Sequence, residues 1–165
     1  MNDHVTLTAL TRPWNVESAY PLRYVSHHDA IDLGRLLVEA PSLPRPGSPS
    51  TLSGWIDAMF AVLNGAHGTL LDGCSFVAEG RGGILAAVLV VAQAGSPQLI
   101  DLAVAPFYQR QGLGTALVGA ALDALHATNY PQVAATVADP SAHARLLAWC
   151  GFTAQASNHT HGPTR

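Results

Sequence analysis

The stretch from Leu99 to Leu125 leaves the backbone few choices. Leu99 to Val104 is apolar except for Asp101, the pattern of a strand covered on both faces, and Pro106, with no N–H to give to a ladder, ends it. From Leu113 onward the apolar residues Leu113, Leu117, Ala120, Ala124 and Leu125 recur at steps of three and four, which predicts a well-buried helix. The link between them, Gln109-Arg110-Gln111-Gly112-Leu113-Gly114, has glycines at alternate positions, so its backbone can approach a ligand and turn its amides toward one point. The free N–H groups of the helix's first turn and the positive end of its dipole favour an anion there, with Arg110 as a cation beside it. A pyrophosphate suits such a loop. The Lys-Ser/Thr ending of one common phosphate loop is absent, and the later glycines of a dinucleotide fingerprint do not fit.

A strand and helix of this kind need a sheet to join, and 165 residues suffice for one domain that buries about 70% of its unfolded surface. With 48% hydrophobic and only 12% charged residues, the chain can build a core but carries a sparsely charged surface, which is compatible with a homodimer. The net charge of −3, with unclustered Lys and Arg, leaves no basic footprint for nucleic acid or an anionic membrane. The longest apolar run, Ile84 to Ala92, falls short of the roughly 18 residues that span a bilayer. Met1-Asn2-Asp3-His4 has neither the basic start nor the apolar stretch of a secretion signal, so a cytoplasmic location is expected. Cys74 and Cys150 lack metal-ligand or redox spacing and read as buried thiols.

Residues 1–21 read as an N-terminal arm, in which the alternation from Thr6 to Leu10 predicts either a short edge strand or a loose terminus. Leu22 to Val25 is the first strand, and Ser26 with Asp29 has capping-box spacing for a helix that Pro41 closes. The prolines at 41, 44, 46 and 49 make Pro41 to Ser50 a loop. Leu52, Trp55, Ile56, Met59, Phe60 and Leu63 form the apolar side of the next helix, with Trp55 and Phe60 read as core. Ser75 to Glu79 and Ile84 to Ala92 form a hairpin across a glycine turn, and Gly95-Ser96-Pro97 is the following turn. Val133 to Ala138 is a further strand, and Asp139-Pro140 reads as the start of a last helix that ends before Gly151-Phe152.

The Gln-x-x-Gly-x-Gly spacing two residues beyond a Val-x-Pro strand end, followed by a strand, a short helix and Gly151-Phe152, resembles the GNAT superfamily of N-acyltransferases over residues 22–152. The resemblance implies an α/β (α+β) fold with a mixed, mostly antiparallel central sheet, one parallel splayed strand pair, and about four flanking helices in a domain of residues 22–156. It implies acetyl-CoA as cosubstrate, with Leu102, Ala103 and Val104 on pantetheine and the amides of Gln109, Arg110, Gln111, Gly112, Leu113, Gly114 and Thr115 on pyrophosphate. The reaction it implies is transfer of an acetyl group to a primary amine, of a small molecule or a protein, by direct attack in a ternary complex. The alternative is an acyl-CoA-binding module without turnover, or an accessory subunit.

Such chemistry needs a neutral amine, donors for a developing oxyanion and a proton for the departing thiolate. Many superfamily members place a tyrosine four residues before Gly-Phe, where this chain has Leu147. His143, one turn earlier on the same helix face, reaches toward the sulfur in that role, or a water fills it. Asp101, in the core strand, is a candidate base if it does not merely pair with a basic group; Glu79 is a second. After Gly151-Phe152 a final strand looks missing or shortened, which leaves a sheet edge for the N-terminal arm or a partner chain to cover. Asn158-His159-Thr160-His161 is too sparse to hold a metal, so no metal site is expected, and 157–165 reads as a disordered tail.

Overall fold

The computed structural model describes residues 3–155, and the tail with His159 and His161 lies outside them. In chain order the elements are β1 (Asp3–Leu10), β2 (Leu22–Tyr24), α1 (Ala30–Glu39), α2 (Leu52–Leu63), β3 (Thr69–Leu70), β4 (Phe76–Gly80), β5 (Gly83–Gln93), β6 (Ser96–Val104), α3 (Leu113–Ala127), β7 (Gln132–Asp139), α4 (Ala142–Trp149) and β8 (Thr153–Ala154). The sheet order is β2-β4-β5-β6-β7-β1-β8, with β3 added alongside β5. Every pair is antiparallel except β6 with β7, as the expected sheet requires.

Strand β5 is the spine of the core. Its Ala86, Val88 and Val90 face α3 and α4, while Ala87 and Leu89 face α1 and α2, so both sides of the strand are dry. Upstream of α1, Ser26 and Asp29 form the expected capping box: the Ser26 hydroxyl accepts from the His28 amide, and the Asp29 carboxylate accepts from the Ser26 amide at 2.7 Å.

Three local expectations change. The turn between β5 and β6 is Ala94-Gly95 alone, both left-handed at φ 49° and 78°, and Ser96 and Pro97 already belong to β6; two left-handed residues match the twist of a hairpin. Helix α4 starts after Ser141, whose hydroxyl accepts from the Ala144 amide, because Asp139 is committed to the ladder opposite Asp3. Phe60 is 44% exposed, and Met59 beside it supplies the core contact instead.

The largest change is at the N-terminus. Strand β1 lies neither loose nor at an edge: it pairs with β7 from Asp3↔Asp139 to Leu10↔Gln132, and β8 pairs on its other side at Leu7 and Thr8. Leu7 and Ala9 enter the core beside Val133, Ala135 and Val137. The arm thus covers the edge that the short β8 leaves open. The chain then crosses α3, where the Trp14 amide donates to Asp123 at 3.0 Å and the indole lies on Gly119; a Cβ there would fall 2.5 Å from Trp14 Nε1. Among the described residues no helix is long and apolar enough to cross a membrane.

Candidate active site

Strands β6 and β7 pair only at Gln98↔Ala134 and Leu99↔Ala135, and beyond Leu99 this side of β6 has no strand partner. Backbone groups buried there need other partners. The Leu102 amide donates to the Ser42 hydroxyl at 3.1 Å, and the Val104 carbonyl accepts from the Gln109 side-chain amide at 3.1 Å.

A cavity of about 420 Å³ opens along this edge, between β6, the loop ahead of α3, and α4. Of the ten residues expected on the cosubstrate, Leu102, Val104, Gln109, Arg110, Gly112, Leu113, Gly114 and Thr115 line it. Ala103 instead packs into the core beneath α1 and α2, and the Gln111 side chain accepts from the Tyr20 hydroxyl at 3.5 Å. The loop's shape comes from two left-handed residues at alternate positions, Arg110 (φ 64°) and Gly112 (φ 79°), which bend successive amides into a concave surface ahead of α3. The space where a Gly112 side chain would stand is open. Arg110 and Arg145 line the cavity with no carboxylate among the described residues, a sign that suits an anion.

His143, on the first turn of α4, lines the same cavity. Burial pushes its imidazole below the usual range, opposed by a hydrogen bond to the Leu102 backbone, which favours the neutral ring. Leu147, one turn on, is fully buried in the core.

A second cavity, of about 310 Å³, lies along β6 from Gln98 to Ile100, walled by the proline-rich loop, Ala58 of α2, His67, Gln93 and Thr136. Asp101 separates the two along the strand. A β-bulge decides where it points: Leu89 pairs with Asp101 but Val90 with Leu99, leaving Ile100 unpaired. Cross-strand partners share a face, so Asp101 follows Leu89 to the α1–α2 side. There it is 2% exposed, and one of its oxygens accepts from both Ser42, at 2.9 Å, and Arg45. Burial pushes this carboxyl up, and Arg45 and Ser42 oppose the rise. Trp55 braces Arg45, its ring centroid 5.1 Å from the guanidinium.

Glu79 sits apart from both cavities. It is exposed on β4 and pairs at 2.7 Å with Arg23, which also forks onto both oxygens of Asp29 at 2.8 Å. Ser42 and Arg45 did not stand out as site residues in the sequence, although Arg45 is the only charge between Glu39 and Asp57.

The model of the acetyltransferase (GNAT) family matches residues 39–152. No curated protein sequence matches the chain. Among solved structures, a GCN5-related N-acetyltransferase from Sphaerobacter thermophilus is similar with a TM-score of 0.71 at 15% identity, over 93% of this chain and 49% of that one. The ribosomal-protein-S18-alanine N-acetyltransferase from Escherichia coli is similar with a TM-score of 0.63 at 21% identity, over 87% and 84%. PaiA N-acetyltransferase from Thermoplasma acidophilum, in complex with coenzyme A, is similar with a TM-score of 0.55 at 13% identity, over 81% and 88%. The chain thus spans about half the length of the first of these, and at such identities the likeness speaks for the fold.

Proposed function

The chain belongs to the GNAT acetyltransferase family, and on that premise we propose that it moves the acetyl group of acetyl-CoA to a primary amine by direct attack in a ternary complex. The observation that carries this reading is the pair of cavities along β6 on either side of Asp101, one of them walled by a left-handed, arginine-bearing loop at a helix N-terminus. A coenzyme A complex of a protein with this fold supports the cosubstrate, and an alanine N-acetyltransferase with this fold supports an amine acceptor.

In this reading the loop amides and Arg110 hold the pyrophosphate, and the free edge of β6 takes the pantetheine, whose amides compete with Ser42 for the Leu102 N–H and with Gln109 for the Val104 carbonyl. The acceptor nitrogen attacks the thioester carbon, the N–C bond forms, and the C–S bond breaks. The proton lost by nitrogen passes to the Asp101 carboxylate and from there to solvent. The thiolate takes one back from a water. A neutral His143 cannot protonate a thiolate, but its unprotonated ring nitrogen accepts from that water and holds it in place.

Calorimetry with acetyl-CoA and CoA, followed by thiol release in the presence of amines, tests the proposal. Binding with amine-dependent release is the expected result, and absence of binding would sink the cosubstrate assignment. The buried Leu147 at the usual tyrosine position favours one competing reading, a module that holds acyl-CoA without turnover; binding without release from any amine would select it. A homodimer also belongs to our reading, with Phe107 (85% exposed) and Trp149 as candidate contacts, and light scattering checks it.

A further inference from the structure

The buried Arg45–Asp101 pair is only half made. The two side chains meet through Arg45 Nη2 and Asp101 Oδ1, and Ser42 takes a second position on the same oxygen. Asp101 Oδ2 and Arg45 Nε are both buried and have no partner among the described residues. A guanidinium and a carboxylate in side-on register would close two parallel bonds and satisfy both atoms. Here one acceptor and one donor are left over on side chains already in contact, an arrangement that folded proteins seldom leave without a use.

A ligand that satisfies both must bring an N–H to Asp101 Oδ2 and an oxygen lone pair to Arg45 Nε from neighbouring atoms. An amine one carbon away from a carbonyl has that shape. The charge of the cavity narrows the choice further: among the described residues its walls carry Arg45 and no carboxylate, which disfavours polyamines and other polycations. The α-amine of a peptide terminus, with an ordinary pKa of about 7.7–8.0 against about 10.4 for a lysine, also yields more neutral nucleophile beside the guanidinium. The remaining polar walls, Gln93, Gln98 and Thr136, offer uncharged hydrogen-bond partners to the rest of such a molecule.

We infer that the acceptor is an α-amino carbonyl compound, a free amino acid or the amino terminus of a peptide, and that Arg45 determines this specificity by holding the carbonyl or carboxylate oxygen next to the reacting amine. This rests on the acetyl-transfer reading above. The proline-rich loop that carries Arg45 must shift to admit the acceptor, since both orphaned atoms are covered as the structure stands. Opening breaks the contacts of Ser42 and Arg45 to Asp101 and Leu102 on β6 and the stacking of Arg45 on Trp55, but no ladder, because prolines at 41, 44, 46 and 49 keep the loop out of one.

The test measures thiol release at saturating acetyl-CoA with four probes: L-alanine, trialanine amide, Nα-acetyl-lysine amide and spermidine. Release with alanine or with trialanine amide is expected, the two arms telling a free amino acid from a chain terminus, and the other two probes should stay silent. In Arg45→Gln the KM for the active probe should rise about tenfold or more, the loss of one hydrogen bond to a charged group, while acetyl-CoA affinity holds. Preference for lysine amide or spermidine overturns the inference, as does an unchanged KM in a folded Arg45→Gln, or acetyl-CoA binding with no release from any probe. If Arg45→Gln melts at room temperature, the wild-type preference among the four probes decides alone. Failure to bind acetyl-CoA is a separate outcome, and it removes the acetyl-transfer reading itself.

Discussion

Asp101 is a carboxylate whose surroundings are set by a neighbour. In a regular strand it would share a face with Leu99; the unpaired Ile100 turns it instead toward Ser42 and Arg45. Because burial raises its pKa, turnover should decline as pH falls through a value above the ordinary carboxylate range, and Asp101→Asn should lose that limb together with about 10²-fold or more of kcat. A pH–rate profile of both proteins, with acetyl-CoA affinity as the control, checks this. The carboxyl of Asp29 is shifted in the opposite direction. Burial pushes it up, but the Arg23 fork and the Ser26 amide more than offset this and hold it below its usual value. Its contribution is therefore present above the unfolded carboxylate pKa of about 3.9 and is lost as pH falls through the lower folded value. Acid titration of Asp29→Asn should show a flatter loss of stability below about pH 4, from a starting point lower by about 1–2 kcal/mol. The sequence marks Asp101 as odd, a single charge in an apolar strand, yet nothing in it reveals a bulge. Nor does it show that Ser42 and Arg45, some 60 residues earlier, converge on the same oxygen.

Helices and strands were far easier to read than the contacts between them. Apolar periodicity located α2, α3 and most strands, because burial on one face leaves a repeat that composition alone cannot imitate, while caps, prolines and Gly151 bounded α1 and α4. The phosphate-type loop was legible for a similar reason: only glycine takes a left-handed turn cheaply, and Gly112 does so at the start of α3. Gly112→Ala meets no neighbour and strains only the backbone, so it should cost about 1 kcal/mol of stability while weakening CoA binding, which melting curves with and without CoA separate. Gly119 could not be interpreted from sequence, since its partner Trp14 lies far upstream. Gly119→Ala drives a methyl into the indole and should destabilise the fold by about 1–3 kcal/mol, with Trp14 fluorescence shifting as the crossing segment lifts from α3. An unchanged spectrum and midpoint would count against that packing.

The fold class follows from the order of elements, but the completion of the sheet does not. A short β8 and a polar end announced an uncovered edge; they did not say that β1 would pair with β7 along its full length and carry β8 on its other side at Leu7 and Thr8. Alternation in Thr6 to Leu10 is the same for a strand with one neighbour as for a strand with two. Deleting residues 1–10 strips the whole outer side of β7 and should yield an aggregating or unfolded chain by light scattering and circular dichroism; a soluble monomer with the native melting temperature would refute the role given to β1. The same strand also fixes a timetable. Asp3 pairs with Asp139, so β1 leaves the ribosome ahead of its partner strand by on the order of ten seconds at ordinary elongation rates. For that interval Leu7 and Ala9 have no template to pack on, and the newborn chain needs shielding at β1 until β7 has been made.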